Sequence, residues 1–374
     1  MEFAPKEGYL LLADISGYTS FLTASELDHA HAIVRELTTL IRRELAPPLR
    51  FVKLEGDAVY CFADTATFRD GERFLELVEA CYVAFANRLD DMIRSTTCRC
   101  RACASIGSLG LKFVAHHGTF IVDEDDGHTD LAGRDVILVH RLLKNSIGEE
   151  GMTSGYAFFT HSCAARLPLG RDEPVHAETY DGLGTITGIV HDLGPVLAEI
   201  RASRSHRLTS EDADFETAAE LPAAVAFVWQ YLVDPVELQR WACVDFSTEP
   251  DVLTRNDAGR FGPGATSHCN HGPGGTWFRE FLGWQPLESF TCRTVAPGPD
   301  AEASRSVVES FELVPVTGGT RVTIRVRVVD RTPELVDGFR QLASSLAAMW
   351  QRRFDALRGV IEADVVRQGE TATP

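Results

Sequence analysis

The stretch Leu10-Leu11-Leu12-Ala13-Asp14-Ile15-Ser16-Gly17-Tyr18-Thr19-Ser20-Phe21 decides the fold. Its apolar run reads as a buried strand that ends on a carboxylate, Asp14. Gly17 then supplies a tight turn before a helix begins. A second stretch, Phe51-Val52-Lys53-Leu54-Glu55-Gly56-Asp57-Ala58-Val59-Tyr60-Cys61-Phe62, reads as strand, Gly-Asp turn, strand. If the first strand neighbours this hairpin, Asp14 and Asp57 meet at one edge of one sheet. Two such carboxylates, completed by water and phosphate oxygens, suit Mg²⁺ or Mn²⁺. Taken singly, each has a plainer reading: Asp14 as a turn residue, Asp57 as the aspartate of a hairpin.

Around these stretches the spacing alternates between strand and helix. Residues 9–15 form the first strand. Leu27, Ala30, Val34, Leu37, Ile41 and Leu45 then recur at helical spacing, with Ser25 as N-cap and Pro47-Pro48 as the stop. His29 and His31 lie two apart in this helix, so they share no face and read as ordinary helix residues. After the hairpin, a helix over residues 70–94 turns Phe74, Leu77, Cys81, Phe85, Leu89 and Met92 inward. A strand follows over 111–122, a third helix over 134–145 and a strand-rich return over 156–193. Strand, helix, strand, strand, helix, strand is the order of a ferredoxin-like or palm sheet with two helices on one face.

Cys98-Arg99-Cys100-Arg101-Ala102-Cys103 places three thiols within six residues. The pattern resembles part of a zinc or iron–sulfur site without the paired Cys-x-x-Cys of a zinc ribbon. A fourth ligand has to come from elsewhere, and His116 or His117 is conceivable. The other reading is a structural thiol cluster.

The chain has 374 residues, 44% hydrophobic and 24% charged, enough for two globular domains. Its net charge of −18 argues against nonspecific nucleic-acid binding and against an anionic membrane surface. Met1-Glu2-Phe3-Ala4-Pro5-Lys6-Glu7 carries no signal-peptide pattern, and no apolar run approaches a membrane span. The nine cysteines are odd in number and sit mostly in apolar surroundings. A cytoplasmic protein with reduced thiols is expected.

The sequence divides into a first domain over 1–194, a linker over 195–210, a second domain over 211–366 and a tail over 367–374. The second domain opens with a strand, Phe215 to Leu221, and a short helix starting at Pro222. A hairpin turns at Thr317-Gly318-Gly319-Thr320. After it Val322, Ile324, Val326 and Val328 alternate with Arg321, Thr323, Arg325 and Arg327, as in a strand that is wet on one face. Leu335, Phe339, Leu342, Leu346, Trp350, Phe354, Leu357, Ile361 and Val365 keep helical register across one long closing helix, which calls for a curved antiparallel sheet as its partner.

Over residues 8–193 the sequence resembles the catalytic domain of class III adenylate and guanylate cyclases. Residues 12–19 are similar to that family's first metal-aspartate motif, and Lys53-Leu54-Glu55-Gly56-Asp57 to its second. The resemblance implies Asp14 and Asp57 as ligands of Mg²⁺ or Mn²⁺ and Lys53 as an adenine reader. Asp130-Leu131-Ala132-Gly133-Arg134-Asp135-Val136-Ile137-Leu138-Val139-His140-Arg141 resembles the motif supplied by the dimer partner. It implies Asp130 as the second adenine reader and Arg141 as the catalytic arginine at the transition-state phosphate. Two positions depart from the family. Ile137 stands where an Asn orients the ribose, and Asp181 stands where a Lys binds phosphate. Residues 211–366 resemble the START/polyketide-cyclase helix-grip superfamily in architecture alone. That implies a cavity for a small apolar ligand, with His268-Cys269-Asn270-His271-Gly272, Trp277, Phe278 and Trp284 as lining or, on the plainer reading, as core and loop residues.

The expected fold is therefore α+β, a palm-type cyclase domain followed by a helix-grip domain. Three functions follow. One is a metal–ATP-binding regulatory pseudo-cyclase, homodimeric and coupled to apolar-ligand binding. Another is an active adenylate cyclase making cyclic AMP and pyrophosphate. The last is a ligand carrier that uses its first domain as a dimerisation scaffold.

Overall fold

The computed structural model describes residues 4–24, 26–68, 70–95, 98, 100–125, 128–148, 155–170, 172–203, 206–242, 251–255, 261–270, 276–296 and 305–371. Ser25 and His271, both singled out above, lie outside the described residues. The chain forms two compact units, Met1–Glu199 and Ile200–Pro374. It is α+β throughout, with a palm-type sheet first and a helix grip second.

In the first unit the elements run β1 (Lys6–Ser16), α1 (Tyr18–Ala24), α2 (Leu27–Leu45), β2 (Arg50–Glu55), β3 (Ala58–Asp64), α3 (Gly71–Ser95), α4 (Arg101–Ala104), β4 (Gly110–Asp125), β5 (His128–Ala132), α5 (Arg134–Leu142), β6 (Tyr156–Thr160), α6 (His161–Ala164), β7 (Val175–Tyr180), β8 (Gly184–Asp192) and α7 (Leu193–Ser203). The strand order is β2-β3-β1-β4-β6-β8-β7, with β5 folded back on β4. Of these pairings only β4 with β6 is parallel.

Leu10, Leu11, Leu12 and Ala13 are all fully buried because β1 is covered on both faces. Tyr9 stacks on Phe74 of α3, ring centroids 4.4 Å apart. Leu10 and Leu12, on alternate positions, share a core with Val136, Val139 and Leu142 of α5. So the sheet carries α2 and α3 on one face and α5 on the other. The third helix is what makes the run continuous rather than alternating.

α3 also buries charge. His191 of β8 lies between two carboxylates, its Nδ1 2.8 Å from Glu173 and its Nε2 2.8 Å from Glu79. Burial alone would lower its pKa. The hydrogen bonds to Glu173 and Glu79 outweigh that and push it up to about 9. A histidine raised in the folded state stabilises fully below its unfolded pKa of about 6.5, and that contribution is lost as pH rises through about 9. The wild type is expected to lose about 2–3 kcal/mol from this group between pH 7 and pH 10. Chemical denaturation of wild type and His191→Gln across that range checks it. Parallel pH curves for the two proteins would remove His191 from the account.

The second unit comprises β9 (Phe215–Leu221), α8 (Val225–Val233), α9 (Pro235–Trp241), β10 (Asp251–Arg255), β11 (Thr266–Asn270), β12 (Thr276–Gln285), β13 (Ser289–Ala296), β14 (Arg305–Val316), β15 (Gly319–Val328), α10 (Pro333–Gln341) and α11 (Ala343–Thr371). Its antiparallel sheet runs β10-β11-β12-β13-β14-β15-β9. Trp350, Phe354, Leu357 and Ile361 of α11 enter one core with Trp229, Trp284, Phe290 and Phe311. On β15, Val322, Ile324, Val326 and Val328 are buried, while Arg321 and Arg325 pair outward with Glu220, Glu216 and Glu312.

One expectation needs correction here. The single closing helix is two helices, because Leu342 ends α10 with its N–H on Phe339 and Arg340 carbonyls. Leu335, Leu342 and Val365 are exposed rather than part of the buried face. Asp234 caps a helix that the sequence reading missed, accepting from the N–H groups of Val236 and Glu237 with Pro235 in the first turn. Residues 195–210, read as a linker, are partly helical. α7 runs to Ser203, whose buried Oγ donates to the Trp284 carbonyl, and Leu208 is buried as well. α11 continues to Thr371, into the stretch read as a tail.

Candidate functional site

The β2–β3 turn and the end of β1 bring the two aspartates together. Glu55 pairs with Ala58 across the hairpin, and Gly56 takes a left-handed φ of +67° that a side chain would strain. Ala13 pairs with Val59, which puts Asp14 level with the turn that carries Asp57. Asp57 accepts a hydrogen bond from the Ile15 backbone and shares another with Asp14. Gly17, at φ +84°, sends the chain away directly after the pair. A Cβ there would sit 2.8 Å from the Ser108 carbonyl oxygen.

This pair is short of positive charge. Asp57 is nearly buried. Burial, and next the charge of Asp14, push its carboxyl up to about 7. One cation is already present. Lys112 stands opposite Asp14 in the β1–β4 register, its Nζ 3.2 Å from Asp14 and 3.1 Å from the Leu143 carbonyl at the end of α5. One ammonium against two carboxylates leaves a deficit that a divalent cation fits, with oxygen donors of the kind magnesium and manganese prefer. The sequence reading missed Lys112. The strand register was the signal, because Lys112 is the cross-strand neighbour of Asp14.

Lys53 and Asp130, expected to read a base together, do lie side by side. Lys53 Nζ is 3.1 Å from Asp130 and 3.5 Å from Glu55. The hydrogen bond with Asp130 raises the lysine pKa and lowers that of the aspartate. Behind them His140 Nδ1 is 3.0 Å from Glu55, and its ring meets Tyr60 edge-on at 4.7 Å. Tyr60 is fully buried, and its hydroxyl has no hydrogen-bond partner among the described residues.

Arg141 lies elsewhere, on the outward face of α5 with Ile137 one turn earlier, and both are exposed. Among the described residues nothing pairs with the Arg141 guanidinium. Asp181 is exposed in the turn joining β7 to β8. The cysteine cluster is drawn together by a histidine the sequence reading set aside. His29 Nδ1 lies 3.2 Å from Cys100 Sγ, 3.8 Å from Cys98 Sγ and 3.9 Å from Cys103 Sγ. His116 and His117 are not its partners. They point to Thr160 and Thr65, at 2.8 and 2.9 Å. Helical spacing showed only that His29 and His31 cannot act as a pair, which says nothing about either one meeting a distant loop.

In the second unit, Trp284 is a core ring packed on Trp229, Phe281, Phe290 and Phe261. His268 meets Phe278 at a tilt, ring centroids 4.9 Å apart and planes at 54°. Among the described residues no helix is long and apolar enough to cross a membrane.

Residues 34–151 match the model of a family described as a protein of unknown function, DUF2652. The uncharacterized protein Rv2561/Rv2562 of Mycobacterium tuberculosis is 32% identical over 147 residues, which span 38% of this chain and 65% of that relative. Among solved structures, the adenylyl cyclase CyaB of P. aeruginosa is 16% identical, over 52% of this chain and all of that one, at a TM-score of 0.38. A bacterial light-regulated adenylyl cyclase is 13% identical, over 54% and 58% of the two chains, with TM-score 0.38. DynU16, from the dynemicin biosynthetic locus, is 18% identical over 40% and 46%, with TM-score 0.30. At these values the likenesses carry no chemistry over to this chain.

Proposed function

We propose that the first unit binds a purine nucleotide with a divalent cation and acts as a regulatory, cyclase-like module with little turnover. The observation that carries this is the Asp14–Asp57 pair, held close and nearly buried with one lysine for two carboxylates. A scaffold gains nothing from that arrangement, whereas a phosphate-bound Mg²⁺ or Mn²⁺ would relieve it. Asp14 and Asp57 would hold the ion, which supplies positive charge at the phosphates. Lys53 and Asp130 then offer one donor and one acceptor, the complement of an adenine edge. Their own ion pair is largely exposed and worth about 0–1 kcal/mol, so a base displaces it at little cost. ATP is the nucleotide that fits.

Arg141 and Ile137 face away from the α5 core, where a second copy of the chain would present its nucleotide. The working assembly is therefore a homodimer with composite sites. The low turnover follows from Ile137, which cannot hydrogen-bond a ribose, and from Asp181, which repels phosphate.

Calorimetric titration with ATP and GTP in Mn²⁺ tests this reading. Saturable ATP binding is expected, weakened roughly 10–100-fold in Lys53→Ala by loss of a charged hydrogen bond to the base. Equal binding of ATP and GTP that is indifferent to Lys53→Ala would remove base recognition. Absence of binding with Mn²⁺ present would remove the nucleotide altogether.

A further inference from the structure

We propose that His29, Cys98, Cys100 and Cys103 form a closed, four-coordinate zinc site that ties the start of α2 to the segment between α3 and β4. The donor atoms of these four side chains all lie within 4.8 Å of one another. Tetrahedral zinc, with Zn–S about 2.3 Å and Zn–N about 2.0 Å, sets its N···S edges at about 3.5 Å. The three observed edges from His29 Nδ1 are 3.2, 3.8 and 3.9 Å, scattered about that value. Four donors this close surround one ion. An iron–sulfur cluster would hold its ligands further apart across several irons.

The surroundings support a bound ion as well. Cys100 caps α4, and its sulfur accepts the Cys103 backbone N–H at 3.4 Å, which fixes the sulfur beside the other donors. Glu26, just before His29, reaches the same short helix and accepts the Ala102 N–H at 3.2 Å. The two segments thus already meet without the ion, and the donors are gathered before it arrives. Three thiolates and one imidazole fill a tetrahedron and leave no open position, which is the pattern of a structural site rather than a catalytic one. On binding, each thiol gives its proton to water and its sulfur lone pair to zinc, with no redox change. The site is independent of the nucleotide reading and shares no residue with it.

The full chain, purified under reductant, tests this by metal analysis and thiol alkylation. About one zinc per chain is expected, lost in Cys100→Ser, lowered in His29→Ala and kept in His29→Cys, since four thiolates bind zinc equally well. Cys98, Cys100 and Cys103 should alkylate roughly tenfold faster after a chelator is added. Cys61, Cys81, Cys163 and Cys292, all buried, should not respond. If Cys100→Ser does not fold, Co²⁺ titration of the chelated wild type replaces it, with sulfur-to-metal charge-transfer bands expected. Any of three results overturns the proposal: zinc absent from a chain that also gives no Co²⁺ bands, alkylation rates unmoved by chelator, or a disulfide between two of the three cysteines in freshly reduced protein.

Discussion

Asp57→Asn is expected to make the metal-free protein more stable at pH 8, by roughly 3 kcal/mol, and to abolish its stabilisation by Mn²⁺. The sign follows from the carboxyl. Asp57 is pushed up to about 7 in the folded chain, first by burial and then by Asp14. Unfolded, it titrates near 3.9. Between those values the folded state holds the extra proton, so its contribution is fully present below about 3.9 and lost as pH rises through about 7. At pH 8 the wild type carries two carboxylates against the single Lys112 ammonium. Asparagine keeps an oxygen for the Ile15 N–H and sheds the charge. In a unit of this size the melting temperature should rise by roughly 6–12 °C. Mn²⁺ should raise the wild-type value at pH 8 and leave the variant unmoved. A variant less stable than wild type at pH 8, or one that still responds to Mn²⁺, would mean that the pair is not a cation site.

The parts of this site that were legible in the sequence are those fixed by short-range pattern. Asp14 ends an apolar run and Asp57 sits in a Gly-Asp turn, so each position follows from local backbone rules, while their meeting depends on β1 pairing with β3. Lys53 and Asp130 came from the cyclase-like motifs instead, since 77 residues separate them and no periodicity links them. Lys112 and His29 were hidden for one shared reason. Each acts across a long sequence separation through a contact that only the folded register creates: β1 against β4 for Lys112, α2 against the α3–β4 segment for His29. Glu79, Glu173 and His191 were hidden by a different effect. A glutamate in a helix reads as part of its wet face, as Glu79 does, and only the tertiary fold brings Glu173 and the β8 histidine to it. The second unit erred in the opposite direction. Its closing apolar register was continuous in sequence, yet Leu342 ends α10, its N–H turning to the Phe339 and Arg340 carbonyls, a local backbone change that side-chain periodicity does not record.

Ile137→Asn is expected to raise cyclic AMP formation from ATP and Mn²⁺ roughly a hundredfold over wild type, the scale of restoring one positioned hydrogen bond in a transition state. Cyclisation needs the ribose 3′ hydroxyl in line with the α-phosphate, so most of the catalysis is placement. Ile137 lies one helical turn before Arg141 on the same outward face of α5. A side chain there reaches the same space as the guanidinium, so asparagine at that point can hold the sugar while Arg141 meets the phosphate. Ile137 is 56% exposed, so the exchange should shift stability by only about 0.5 kcal/mol and the comparison stays one of activity. Asp181→Lys, at an exposed turn, should add to the gain by replacing repulsion of the phosphates with attraction. Asp57→Ala in the Ile137→Asn background should return the rate to zero. Product from the wild type at the rate of Ile137→Asn would make this chain a working cyclase and Ile137 a tolerated substitution. Nucleotide binding with no product from Ile137→Asn, even with Asp181→Lys, would place the block at the dimer, because Arg141 then never reaches the partner's phosphate.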